Sequence, residues 1–83
     1  MQITVKTGGL LYKHLPDSRT GNRASVDVPE DTTAASLLGE LGMPSDQTYL
    51  VIVNGELVPE QQRAATTLAD GDKVSINPPL KGG

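Results

Sequence analysis

The chain has 83 residues, with seven Lys and Arg against ten Asp and Glu, a formal net charge of −3, two tyrosines, and neither Phe, Trp nor Cys. That length supports one domain burying roughly 60–65% of the surface its unfolded chain exposes, which argues against a deep catalytic cleft. The acidic balance and scarce aromatics argue against nucleic acid, the lack of cysteine excludes disulfides and thiolate chemistry, and the single histidine, His14, cannot make a metal site alone.

Ile3 and Val5 alternate with Gln2, Thr4 and Lys6, which predicts an edge or near-edge strand from the first residues to Gly8-Gly9 and not a signal peptide. No apolar stretch approaches the roughly 18 residues needed to span a bilayer, so a soluble cytoplasmic protein without a membrane partner is expected. Leu11 and Leu15 stand four apart, enough for about one and a half helical turns before Pro16, and Asp17 to Arg23 is polar and turn-rich, a surface loop. His14 falls on that short helix and is read as a surface residue or as half-buried packing. Val26 and Val28 alternate with Ser25 and Asp27 in a second strand closed by Pro29.

The next segment carries the main helix. Asp31 or Thr32 is placed at its N-cap, Glu30-Asp31 supply favourable charge there, Ala34, Leu37, Leu38 and Leu41 form the apolar stripe, Gly42 suits C′, and Pro44 blocks continuation. Tyr49 to Val53 is an apolar strand, Asn54-Gly55 fits a type I′ turn, and Glu56 to Val58 returns to Pro59. Gln61 to Thr67 is irregular or one helical turn. Asp70-Gly71-Asp72 reads as turn chemistry opening a last strand with Val74 and Ile76 on one face.

This order predicts an α+β domain, with a mixed sheet of four to five strands, one main helix packed on one face, and the last strand parallel to the first. That is the β-grasp arrangement. Residues 1–77 form the domain, and residues 78–83 an extended tail. In the third strand period-two geometry sends Tyr49, Val51 and Val53 to one face and Leu50 and Ile52 to the other; one helix covers only one face, so apolar surface stays open unless the loop from Asp17 to Arg23 folds over it.

The chain ends in Pro78-Pro79-Leu80-Lys81-Gly82-Gly83. Two prolines fix φ and stop sheet pairing, the glycines lack Cβ, and the six residues can reach roughly 20 Å. Together with "VPEDTTAASLLGELGMP", "VIVNGELV" and "LADGDKVSINPP", this tail resembles the sulfur-carrier branch of the ubiquitin-like superfamily, more the small subunit of molybdopterin synthase than the thiamine-pathway carrier. The resemblance covers nearly the whole chain. It implies a carrier, not an enzyme, that binds no cofactor. The Gly83 carboxylate would be adenylated by a ubiquitin-activating-type enzyme using ATP, become a thiocarboxylate, and give its sulfur to a synthase subunit, either the molybdopterin synthase large subunit or thiazole synthase. Gly82 would thread a narrow channel with Gly83. By the same analogy Leu50 and Ile52, with Pro78, Pro79, Leu80 and Lys81 of the tail, would seat these partners. Two other classes fit the same residues: a protein modifier joined to lysines through Gly83, and a binding module whose tail is idle.

Overall fold

The computed structural model describes residues 1–44 and 49–78. It contains β1 (Gln2–Thr7), a 3-10 helix (Leu11–His14), β2 (Arg23–Asp27), α1 (Ala34–Glu40), β3 (Leu50–Val53), β4 (Glu56–Leu57), a second 3-10 helix (Glu60–Ala65) and β5 (Lys73–Asn77). The strands form one five-stranded sheet in the order β2-β1-β5-β3-β4. β1 runs antiparallel to β2 and parallel to β5, and β3 runs antiparallel to both β5 and β4. β2 and β3 therefore share a direction, and the chain between them, which carries α1, crosses over β1 and β5. The mixed sheet, the main helix and the parallel first and last strands follow the expected order.

Alternation decides what each strand buries. Ile3, Val5 and Thr7 of β1, Ala24 of β2, Val51 of β3, and Val74 and Ile76 of β5 form one buried surface, and Ala34, Leu37 and Leu41 close over it with Leu11, Leu15, Val28, Met43, Tyr49 and Leu68. Leu38 and Val53 are only partly buried against this core. Thr7 is the polar member of the inner face. Its Oγ1 donates to the Asn22 carbonyl, and Asn22 Nδ2 donates to the Thr7 carbonyl, closing the end of the β1–β2 pair.

Four local expectations are corrected. The helix cap is Thr33, not Asp31 or Thr32: Thr33 Oγ1 accepts from the Ser36 N–H at 3.1 Å, and Ser36 Oγ accepts from the Thr33 N–H at 2.8 Å. The start is displaced because Thr33 pairs with Thr67, the Ala34 N–H donates to the Thr66 carbonyl, and the Leu68 N–H donates to the Thr32 carbonyl. Extended pairing there keeps the chain from coiling before Ala34, and the first turn holds no acidic residue, so Glu30-Asp31 stand outside it. Second, Arg23 belongs to β2, paired with Lys6, and not to the loop. Third, the return strand is Glu56–Leu57; Val58 lies beyond it, buried, with its N–H donating to the Val51 carbonyl. Fourth, the segment after Pro59 is a 3-10 helix of six residues, Glu60–Ala65, wound around a buried arginine, Arg63. Asn54 and Gly55 have φ of 51° and 87°, the two positive values a type I′ turn requires.

Candidate functional site

The site begins where β5 ends. Asn77 is the last paired residue, opposite Leu50, and exposed Pro78 follows it. The Gly8 N–H donates to the Ile76 carbonyl at 2.9 Å, which draws the Gly8-Gly9 corner against this exit. A Cβ at Gly8 would lie 2.3 Å from Asn77 Oδ1, and one at Gly9, where φ is +56°, would lie 3.2 Å from Pro78 Cγ. The corner is thus the seat of the departing chain, a role that its reading as a strand end did not contain. Leu10, 71% exposed, stands beside it; with Leu11, Lys13, His14, Pro44, Tyr49 and Pro78 it frames a hollow of about 300 Å³. His14 is half-buried in the wall of that hollow.

The open face of the sheet starts at the same exit. Leu50 and Ile52 are half-buried and sit on the face away from α1, as alternation predicts. Ile52 is directly opposite Leu57, which is 59% exposed and extends the apolar strip to the sheet edge. Leu57 was missed, although the signal was available: a two-residue Asn-Gly turn fixes the register that puts it across from Ile52. The loop from Asp17 to Arg23 does not take this ground. Ser18 and Thr20 lie beside Thr4 and Ser25 at the β1–β2 side, at the opposite end of the strand order from β4.

Leu50 and Ile52 lie on the open face, opposite Asn77 and Ser75, while Pro78, the residue after Asn77, lines the hollow with Leu11, Pro44 and Tyr49. Pro79, Leu80, Lys81, Gly82 and Gly83 lie outside the described residues. Asp70 and Asp72 serve the turn that opens β5: Asp70 Oδ1 accepts from the Gln2 N–H at 2.7 Å, Asp72 Oδ2 accepts from the Ala69 N–H, and Asp72 Oδ1 accepts from Asn54 Nδ2. Among the described residues no group of three or more His, Cys, Asp or Glu could hold a metal ion, and no helix is long and apolar enough to cross a membrane.

The chain is similar to known proteins in sequence and in fold. A molybdopterin synthase sulfur carrier subunit of Drosophila simulans is 32% identical over 65 residues, covering 74% of this chain and 72% of that protein. A thiamine biosynthesis protein (ThiS) from Geobacter metallireducens superposes over the whole of both chains with a TM-score of 0.68 and 28% identity. In the protein-protein complex of subunits 1 and 2 of the molybdopterin-converting factor from Helicobacter pylori, a chain matches over its full length with a TM-score of 0.59 and 20% identity, a likeness of fold. The ThiS family model matches residues 15–83, which includes the main helix, β2 to β5 and the terminal Gly82-Gly83. The fold is the β-grasp of these structural neighbours, and the chain belongs to the ThiS family.

Proposed function

We propose that the protein is a sulfur carrier whose reactive atom belongs to the Gly83 carboxylate, and that residues 78–83 present this group to other proteins while residues 1–77 form the body they grip. The carrying observation is the ThiS family match running through Gly82-Gly83, supported by relatives named as sulfur carrier subunits. In the step this implies, a Gly83 carboxylate oxygen attacks the α-phosphorus of ATP inside an adenylating enzyme and pyrophosphate leaves. A hydrosulfide ion then attacks the acyl carbon and AMP departs with the carbon–oxygen bond electrons, leaving a thiocarboxylate that carries the sulfur to an acceptor. The carrier contributes no acid, base or metal. Glycine at the last two positions lets the backbone enter a channel too narrow for a Cβ, and Pro78-Pro79 favour an extended departure. Leu50 and Ile52, with Leu80 and Lys81, seat the activating enzyme and the acceptor in turn.

The curated relative favours a molybdopterin synthase large subunit as acceptor, and the Helicobacter complex supplies a neighbour that pairs two such subunits. A second reading, with thiazole synthase as acceptor, is favoured by the full-length likeness to the Geobacter protein. Intact-mass measurement after incubation with ATP, the adenylating enzyme and a sulfur donor tests the carrier step. The expected result is a gain of one sulfur-for-oxygen exchange, absent when Gly83 is deleted; sulfur delivery by a chain blocked with an extra C-terminal residue would overturn it. Presenting the loaded carrier to each acceptor in turn separates the two pathways.

A further inference from the structure

Three asparagines stand in the chain, and the residue after each one sets them apart chemically. An asparagine side-chain amide can be attacked by the backbone nitrogen of the next residue, which is why asparagine is thermolabile. Asn77 precedes Pro78, whose nitrogen carries no hydrogen to give up. Asn22 precedes Arg23, whose side chain crowds the approach. Asn54 alone precedes a glycine, Gly55, where no Cβ hinders the nitrogen, and both residues are exposed to water. Sequence and exposure together mark one peptide unit as reactive.

The fold opposes that reaction. Asn54 has a φ of 51° in a type I′ turn, a geometry that holds its ψ near about +30°. Ring closure requires the side chain and the Gly55 nitrogen to rotate onto each other, and both ends of the amide are tied down. Nδ2 donates to Asp72 Oδ1 at 2.9 Å, and Oδ1 accepts from the Lys73 N–H at 2.9 Å. The Asn54 N–H donates to the Lys73 carbonyl at 2.8 Å, anchoring the backbone to the same residue. Attack therefore needs the turn to open and two side-chain hydrogen bonds to be given up. Polar contacts, not burial, keep an exposed amide unreactive.

We propose that Asn54-Gly55 is a modification site gated by the fold: closed while Asn54 is clasped to Asp72 and Lys73, and converted irreversibly to aspartate and isoaspartate once the turn opens. In the first step the Gly55 nitrogen loses its proton to solvent base and its electron pair forms a bond to Asn54 Cγ. The Cγ–Nδ2 bond breaks, and ammonia leaves with those electrons and a proton. Water then adds to one carbonyl of the resulting five-membered ring. Addition at Cγ releases aspartate, and addition at the main-chain carbonyl releases isoaspartate; either way one NH is replaced by one oxygen. Neither product fits the place it came from. Aspartate turns a carboxylate toward Asp72 Oδ1, where Nδ2 had donated, and like charges at that separation repel. Isoaspartate adds a methylene to the main chain of a two-residue turn, which then cannot keep Val53 opposite Glu56. Conversion thus locks in the opening that allowed it and marks a chain as having opened. The site involves neither the tail nor a partner, so it stands apart from the carrier reading.

The test incubates the full chain in mildly alkaline buffer, with and without guanidinium chloride above its unfolding midpoint, and follows all three asparagines by peptide mass spectrometry. In denaturant Asn54 is expected to convert while Asn22 and Asn77 stay intact. In buffer its conversion is expected to be at least about a hundredfold slower, since the reaction waits for opened molecules. Asp72→Ala removes the Nδ2 acceptor and is expected to raise the rate in buffer about tenfold, the loss of one hydrogen bond to a charged group. The product is tested separately. N54D is expected to lower the thermal midpoint by roughly 4–8 °C. N54D/D72N is expected to recover at least half of that, because the amide introduced at position 72 can donate to the carboxylate at 54 while its oxygen still accepts from the Ala69 N–H, as Asp72 Oδ2 does. Equal rates of conversion in buffer and in denaturant overturn the proposal, as does a folded Asp72→Ala chain that converts no faster than the wild type. An N54D chain that melts with the wild type overturns it too. Should Asp72→Ala fail to fold, the wild-type comparison and the N54D pair decide the matter.

Discussion

Arg63 is the residue on which the apolar core depends without any apolar signal. It is 7% exposed, its Nη2 donates to the Tyr49 carbonyl, and its Nε donates to the Val58 carbonyl at 3.4 Å, so one guanidinium joins the entry of β3 to the exit of β4. A buried charge whose partners among the described residues are carbonyls persists because its planar fork reaches two acceptors at once. Arg63→Met keeps the bulk and removes the donors, leaving both carbonyls to be satisfied otherwise. We expect a loss of about 2–4 kcal/mol, read as a lower urea midpoint at unchanged slope, with Arg63→Lys recovering less than half. Sequence could not have shown this. Arg63 stands in "EQQRAA", where every cue is of a solvated surface, and its burial is decided by where the 3-10 helix lands against the hairpin. Leu50 and Ile52 were the opposite case, since alternation along one strand was enough to set their face.

Between elements, the two tight turns hold each other. Asn54 in the β3–β4 turn accepts at Oδ1 from the Lys73 N–H at 2.9 Å, donates from Nδ2 to Asp72 Oδ1 at 2.9 Å, and donates from its N–H to the Lys73 carbonyl at 2.8 Å. Both turns were legible as Asn-Gly and Asp-Gly, because each is written in the φ its own residues must adopt. Their mutual contact was not, because it depends on β3 and β5 pairing in register. The same holds for the helix cap: Asp31 and Thr32 have capping side chains too, and only the pairing of Thr33 with Thr67 moves the helix start past both of them to Thr33. The turn contact can be divided by experiment. Asn54→Gly keeps the backbone conformation and removes both side-chain hydrogen bonds, so it should cost about 1–2 kcal/mol. Asn54→Ala removes the same bonds and keeps a Cβ at positive φ without the polar side chain that lets asparagine tolerate it, so it should cost roughly 1 kcal/mol more than Asn54→Gly. Equal losses for the two variants, measured by denaturant unfolding, would show that the backbone at 54 is not held in this conformation.

At the scale of the whole molecule, the last strand lies at the centre of the sheet, with β1 on one side and β3 on the other. The fold therefore closes only when the C-terminal segment inserts between elements made much earlier in the chain. Val74 and Ile76, both essentially inaccessible, are worth about 1.5–3 kcal/mol each in burial, and the two ladders they sit in come on top. Against a typical domain stability of about 5–15 kcal/mol, losing β5 removes most of what holds the domain. A chain ending at Asp72 should show no cooperative unfolding. Pro78 is different in kind: it is exposed, it donates no backbone hydrogen bond, and it rests on a glycine corner. A chain ending at Asn77 should therefore keep the thermal midpoint of the full chain to within a few degrees, since about 1 kcal/mol shifts a domain of this size by roughly 4–8 °C. That shortened chain should also retain the open face with Leu50 and Ile52, and so still bind the adenylating enzyme while accepting no sulfur. A large fall in midpoint would place residues 78–83 inside the cooperative unit, which is incompatible with a body that folds first and offers its end to another protein.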